Sequence, residues 1–249
     1  MYPANFPGLG RGLDFLLLLF LHQDKKRRSP SRQEKKTPKR IEESIKVRTR
    51  QAQSPPQHLL LLLMILPIYT YGQAVLREET KPIDSSYPEL QQLIADMFET
   101  MYNADGIGLA APQIGRSIKL LVIDGTPLAN DHLDCKDFKR VLINPEIVEE
   151  SPERVTYEEG CLSFPGVHER VTRAERIRVK YLNERFEPVE EALGGFAARI
   201  VEHECEHLAG ELFIDNISPI RRQLNKAKLN NIIKGKASCR YRIKPANKK

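Results

Sequence analysis

The sequence predicts an α+β domain running from about Met64 onward. An apolar stripe of helical period lies at residues 87–103, short strand-like runs follow it, and two helical stretches come last. Strands that follow one another, rather than alternating with helices, favour α+β with helices packed on one side over a βαβ array. No internal repeat is visible.

Each element has its own signal. From Tyr87 to Asn103, residues Leu90, Leu93, Ile94, Met97, Phe98 and Met101 mark one helix face, with Ser86 as the expected cap and Pro88 in the first turn. Lys119 to Asp124 and Arg140 to Asn144 are short β-rich runs. Glu175 to Leu182 sets Ile177, Val179 and Tyr181 against charged neighbours, the alternation of a half-buried strand. Gly194-Gly195 opens a helical stretch that continues to about Leu208 and is closed by Gly210. Ser218-Pro219 starts a last helix, with Ile220, Leu224 and Ala227 expected on its apolar side, joined by Leu229 or Ile232.

At 249 residues, 41% hydrophobic and 29% charged, the chain suits one globular domain plus a tail and excludes a collagen-like or wholly disordered protein. Four cysteines are too few for a disulfide scaffold and point to a reducing compartment. The net charge of +6 is unevenly spread, because residues 1–63 carry 13 Lys/Arg against 5 Asp/Glu. The body of the chain is therefore close to neutral, and its basicity is no argument for nucleic acid. The apolar runs Phe15–Leu21 and Leu59–Leu66 fall well short of the ~20 residues that cross a bilayer. Residues 1–63 read as a disordered basic extension. A misplaced start, with Met64 as first residue, accounts for them ahead of an organellar transit peptide or a nucleic-acid-binding arm.

The sharpest motif is His203-Glu204-Cys205-Glu206-His207. Positions i and i+4 of a helix share a face, so both imidazoles can reach one metal ion while Glu204 serves as a base beside it. A catalytic centre of the zinc type takes three protein ligands and leaves one position open. For the third ligand the residues leave Cys135, Cys161, Cys205, Cys239 and several carboxylates in play. Cys161 is preferred, since Glu159-Gly160-Cys161-Leu162-Ser163-Phe164-Pro165-Gly166 is a glycine-bounded turn where backbone can approach an ion. A third segment, Gly106 to Gly115, has small residues that admit a ligand close to the backbone, and Gln113 offers an amide donor. It is a poor phosphate loop, as it follows a helix and lacks a Gly-Lys-Ser/Thr sequence, and by itself it also fits a tight loop packed under a sheet. The helix motif alone also fits a zincin-like endopeptidase, and Glu202 and Glu206 also fit a metal-binding protein without activity.

In this order the three segments resemble the bacterial peptide deformylases, whose motifs are a Gly-x-Gly-Leu-Ala-Ala-x-Gln loop, a Glu-Gly-Cys-Leu-Ser turn and a His-Glu-x-x-His helix. They stand here at Gly106–Gln113, Glu159–Ser163 and His203–His207. The resemblance covers about residues 64–236, the expected catalytic domain, and leaves 237–249 as a basic tail. It implies antiparallel β-sheets packed around a central metal-binding helix, with an N-terminal amphipathic helix and a C-terminal one. It implies a metal held by Cys161, His203 and His207: Fe2+ first, with Zn2+, Ni2+ or Co2+ as alternatives. The implied reaction removes the formyl group from the N-terminal formyl-methionine of new proteins in the bacterial cytoplasm, releasing formate. Glu204 would take the proton of the attacking water and pass it to the departing amine, and the Gln113 amide and Leu162 N–H would meet the oxyanion. The same resemblance sets the backbone near Gly108 against the extended peptide and Ile107, Phe196 and Ile200 around the methionine side chain. Two positions depart from the family pattern: Glu206 stands for the usual Asp before the second histidine, and Glu202 for the usual Gln before the first. Activity is expected to survive both, with a shift in metal preference.

After Asp215 there is no acidic residue, while 11 Lys/Arg occur from Arg221 to Lys249. This segment reads either as a solvated helix with a frayed tail or as an electrostatic contact with ribosomal RNA.

Overall fold

The computed structural model describes residues 63–246. The expectations placed on residues 1–62 lie outside the described residues. Of the second apolar run, Leu63, Met64 and Ile65 are exposed coil. Among the described residues no helix is long and apolar enough to cross a membrane.

The described residues form nine strands and three α-helices, in the order β1 (Ile68–Tyr69), α1 (Leu90–Asn103), β2 (Gly108–Ala110), β3 (Leu120–Asp124), β4 (Lys139–Glu150), β5 (Arg154–Gly160), β6 (His168–Ala174), β7 (Arg176–Leu182), β8 (Pro188–Gly194), α2 (Gly195–Leu208), α3 (Pro219–Ile233) and β9 (Ile243–Lys244). Five strands make one antiparallel sheet in the order β2-β3-β4-β7-β8, and β5 and β6 form a separate antiparallel hairpin. The two-residue strands β1 and β9 pair in parallel.

α1 buries Leu90, Ile94, Met97 and Met101 against Leu109, Leu120, Val122 and Ile143, while Leu93 and Phe98 pack at the rim. Its start differs from expectation. Both the N–H and hydroxyl of Ser86 bond Asp84 Oδ1, so Ser86 closes a turn instead of capping the helix. Glu89 then sits at φ 54°, and helical geometry begins only at Leu90. The polar flank of α1 holds the incoming chain: Met64 N–H donates to Asp96 at 2.8 Å and Leu66 N–H to Thr100 at 2.9 Å.

β3 is buried along its whole length, and β7 buries Ile177, Val179 and Tyr181 between exposed Arg178 and Lys180. β4 continues past the expected end at Asn144. Pro145 lacks an N–H for the ladder, and the strand passes it through a register shift between Ile143 and Glu146 before pairing with β7 resumes. α2 is buried on nearly every side and touches both β2 and β3 of the large sheet and β6 of the hairpin. Asp134, from the loop after β3, caps it by accepting the Ala197 N–H at 2.7 Å. At the other end Gly210 adopts φ 75°, and the Glu211 N–H closes on the Glu206 carbonyl.

A second core gathers Phe164, Val167, Val171, Phe213, Leu229 and Ile232. α3 is capped by Ser218, as expected, but its buried face is Asn225, Leu229 and Ile232. Ile220 and Leu224 are 74% and 69% exposed, and Ala227 is exposed too. The Asn225 amide bonds buried Glu169 and orients the helix, so the side set by positions 220, 224 and 227 faces solvent. Nor does the chain fray after α3, since β9 returns to pair with β1.

Met97 is fully buried between α1 and the sheet. Met97→Ala is expected to cost roughly 2–5 kcal/mol of stability, read as a lower urea midpoint at unchanged slope. A midpoint equal to the parent's would refute this packing.

Candidate metal centre and active site

The i, i+4 spacing on α2 puts His203 and His207 on one face, with ring centroids 5.3 Å apart. Cys161 enters from the turn after β5, its Sγ 3.2 Å from His207 Nε2. One ligand atom from each of the three lies within 4.8 Å of the others, and no other such group of His, Cys, Asp or Glu occurs among the described residues. Cys135 and Cys205 stand outside it, their thiols pushed up to about 12 by burial, and Cys239 points its sulfur at the Tyr241 carbonyl. Of the four cysteines that the sequence left open, Cys161 is the one that the structure brings together with both imidazoles.

The imidazoles are held for ligation. His203 Nδ1 lies 3.0 Å from Glu159 Oε2, which leaves Nε2 for the cluster. Burial holds the His207 pKa well below the ordinary histidine value, so its ring is neutral, the form that donates a lone pair. His207 Nδ1 and Glu204 Oε2 are buried without a hydrogen-bond partner. A soft cysteine sulfur, two imidazoles and a neighbouring unpaired carboxylate make a donor set that fits a divalent transition ion.

Glu204 is buried on the inward side of α2, and burial pushes its carboxyl up to about 7. It lies flat against Gly108, where an added Cβ would come within 2.8 Å of the Glu204 Cδ. Only glycine admits the carboxylate there. The Gly106–Gly115 segment is thus more than a loop: β2 is followed by a buried 3-10 turn, Ala111–Ile114, that carries Gln113. The Ala110 N–H fixes Gln113 Oε1 at 2.8 Å, which aims Nε2 at Ser163 Oγ (3.3 Å) and Cys161 Sγ (3.5 Å). The Leu162 N–H makes no hydrogen bond with another described residue.

The four residues expected around the peptide are dispersed along two elements. Gly108 lies on β2, the edge strand of the large sheet, with half-buried Ile107 just before it. Ile200 is buried on α2. Phe196, one turn earlier, is half-buried and stacks on His132 at 4.3 Å with Tyr157 edge-on at 6.1 Å.

Sequence reasoning did not find the charged scaffold behind the cluster. Glu159 accepts Arg173 Nε at 2.6 Å and Nη2 at 2.9 Å and also pairs with Arg199, all three being buried. Burial would raise the Glu159 pKa, but the hydrogen bonds from His203 and Arg173 outweigh it and hold the carboxyl far below its ordinary range. Arg173 also grips Glu206 with two further bonds, at 2.6 and 3.0 Å, and Asn216 joins at 2.7 Å. A signal was present: Arg173 follows Glu169 and Val171 on the inward side of an alternating strand, where an arginine needs a buried partner.

The sequence model of the polypeptide deformylase family matches residues 65–223. The peptide deformylase of Christiangramia forsetii is 45% identical over 193 residues, covering 75% of this chain and 98% of its own. Among solved structures, a peptide deformylase from Legionella pneumophila is similar at 41% identity and a TM-score of 0.60, over 68% of this chain and 95% of its own. A class I type b peptide deformylase from Acinetobacter baumannii, in a crystal structure with Met-Ala-Ser bound, is similar at 37% identity and a TM-score of 0.56, over 62% of this chain and 99% of its own. With a family match over most of its length and a relative that it covers almost completely, this chain belongs to the polypeptide deformylase family.

Proposed function

We propose that the chain is a metal-dependent hydrolase that removes the formyl group from the N-terminal formyl-methionine of newly synthesised proteins, releasing formate. The observation that carries the residue assignments is the meeting of Cys161, His203 and His207 beside the buried, unpartnered Glu204 carboxylate. α2 is in this reading the metal-binding helix around which the sheets pack, and Cys161, His203 and His207 hold one divalent ion. Fe2+ is the physiological choice, with Zn2+, Ni2+ or Co2+ as substitutes, since the donor set suits all four. When bound, such an ion supplies Lewis acidity and makes a water molecule acidic enough to react near neutral pH.

The protein's own groups do the rest. Glu204, with a pKa raised to about 7 by burial, is matched to accept a proton from the attacking water and return it to the departing amine. Gln113 Nε2 and the Leu162 N–H are the oxyanion donors, the first oriented by Ala110 and the second free to donate. The outer edge of β2 at Gly108 offers main-chain pairing to an extended peptide, as edge strands do. Ile107, Phe196 and Ile200 are the residues we assign to the methionine side chain. The Met-Ala-Ser bound to the Acinetobacter baumannii relative supports a substrate of this kind. The proposed substrate and the bacterial sources of relatives such as those of Christiangramia forsetii and Salinibacter ruber support action in the cytoplasm. A second contact, with ribosomal RNA, is supported by the exposed Lys226, Lys234, Lys236, Arg240 and Arg242, a run of cations suited to phosphates.

Formate release from formyl-Met-Ala-Ser by anaerobically purified protein loaded with Fe2+ is the direct test. Glu204→Ala is expected to lower kcat by roughly 10²–10⁴ while retaining metal; parental turnover in that variant would remove Glu204 from the reaction. Cys161→Ala is expected to lose bound metal, measured by elemental analysis after dialysis, and full retention would favour a peptidase-type centre that does not use this thiol. Replacing the exposed Lys226, Lys234, Lys236, Arg240 and Arg242 together by Gln is expected to weaken co-sedimentation with ribosomes, and an unchanged pellet fraction would refute the RNA contact.

A further inference from the structure

The turn Cys161–Phe164 carries both the Cys161 thiol and the Leu162 N–H, and each of its first three carbonyls receives a hydrogen bond. The Phe164 N–H donates to Cys161 O at 2.8 Å and closes the turn, and the Tyr71 N–H donates to Ser163 O at 2.9 Å. Between them, the Tyr241 hydroxyl donates to Leu162 O at 2.8 Å. The closing bond holds the Cys161–Leu162 peptide, which carries the Leu162 N–H, by its carbonyl, and Tyr241 anchors the next carbonyl, that of Leu162 itself. The two peptides that flank Leu162 are thus both tied down, the second of them by a residue from far along the chain. The Leu162 side chain is held as well, since it packs where a Cβ on Gly106 would lie, 2.8 Å from Cδ1.

Tyr241 reaches this carbonyl from 79 residues away because its segment is sewn to the start of the domain. The Ile68 N–H bonds Arg242 O at 2.8 Å, and Gln73 Nε2 bonds Lys244 O at 3.1 Å and Pro245 O at 3.0 Å. Tyr241 also lies beyond residues 65–223, the stretch that matches the family model.

We propose that Tyr241 is a positioning residue for deformylation: its hydroxyl pins the Leu162 carbonyl to the C-terminal segment and so keeps Leu162, whose N–H serves with the Gln113 amide as an oxyanion donor, in place at the tip of the Cys161–Phe164 turn. This rests on the reading of Leu162 as an oxyanion donor. The test compares Tyr241→Phe with the parent and with Lys244→Ala, which loosens an exposed contact of the same strand to Tyr69. All three are full-length, Fe2+-loaded proteins acting on formyl-Met-Ala-Ser. Loss of one hydrogen bond is expected to lower kcat about three- to tenfold, with KM and metal content at parental values, a melting temperature lowered by no more than about 5 °C, and Lys244→Ala unaffected. A parental kcat in Tyr241→Phe overturns the proposal. So does a fall in kcat that Lys244→Ala shares, or one accompanied by loss of metal or by unfolding at the assay temperature. A parent that fails to turn over the formyl peptide overturns the underlying reading and this proposal with it, whereas an active parent beside an unaffected Tyr241→Phe overturns this proposal alone.

Discussion

The buried carboxylate of Glu159 ties the β5–β6 hairpin to α2. Its oxygens accept bonds from Arg173 on the opposite strand, from Arg199 just over one turn into the helix, and from His203. A charge taken out of water is tolerated only where its partners are complete, and deleting one partner of a buried pair costs roughly 3–5 kcal/mol. Glu159 is also two residues from Cys161, so the group that orients one imidazole sets the start of the turn bearing the thiol. One electrostatic cluster thereby fixes Cys161 and His203, two of the three candidate ligands, relative to each other, though they are 42 positions apart in the chain.

Close approach is the second constraint. Glu204 lies against the backbone of Gly108, and the same short strand leads into the 3-10 turn that sets Gln113 beside Cys161 and Ser163. Side chains larger than hydrogen at Gly108 would collide with the carboxylate and force it to move. The three glycines of this segment are therefore explained by the side chains that sit on them: Leu162 on Gly106, Glu204 on Gly108 and Tyr69 on Gly115.

The two departures from the family pattern are both absorbed. Glu206, with its longer side chain, reaches Arg173 through two hydrogen bonds and Asn216 through a third, so its charge is spent on the scaffold and not on the metal face. Glu202 is buried; one oxygen accepts the Ala174 N–H at 3.3 Å and the other has no partner. Burial pushes its carboxyl up to about 7, so near neutrality a large share of it is the uncharged acid, a group close in shape and polarity to the amide that the family usually has there.

Local pattern determined much of this protein. The α1 stripe, the alternation of β7, the two glycine-marked ends of α2 and the shared face of His203 and His207 all depend on residues a few positions apart, and each was legible without coordinates. The ordered motifs pointed to the family, and thereby to Cys161, Glu204 and Gln113. What local pattern could not carry was decided by long-range contact. The face of α3 was misread because Asn225, a polar residue, is drawn inward by Glu169, 56 positions earlier. The β4 strand outran its apparent stop at Pro145 because β7 pairs with it on both sides of the bulge. Arg173, Arg199 and Tyr241 gain meaning only from partners that folding brings to them. Periodicity encodes which side of an element is apolar, whereas a buried polar group is specified by the one distant partner that satisfies it, and that partner is a property of the tertiary structure alone.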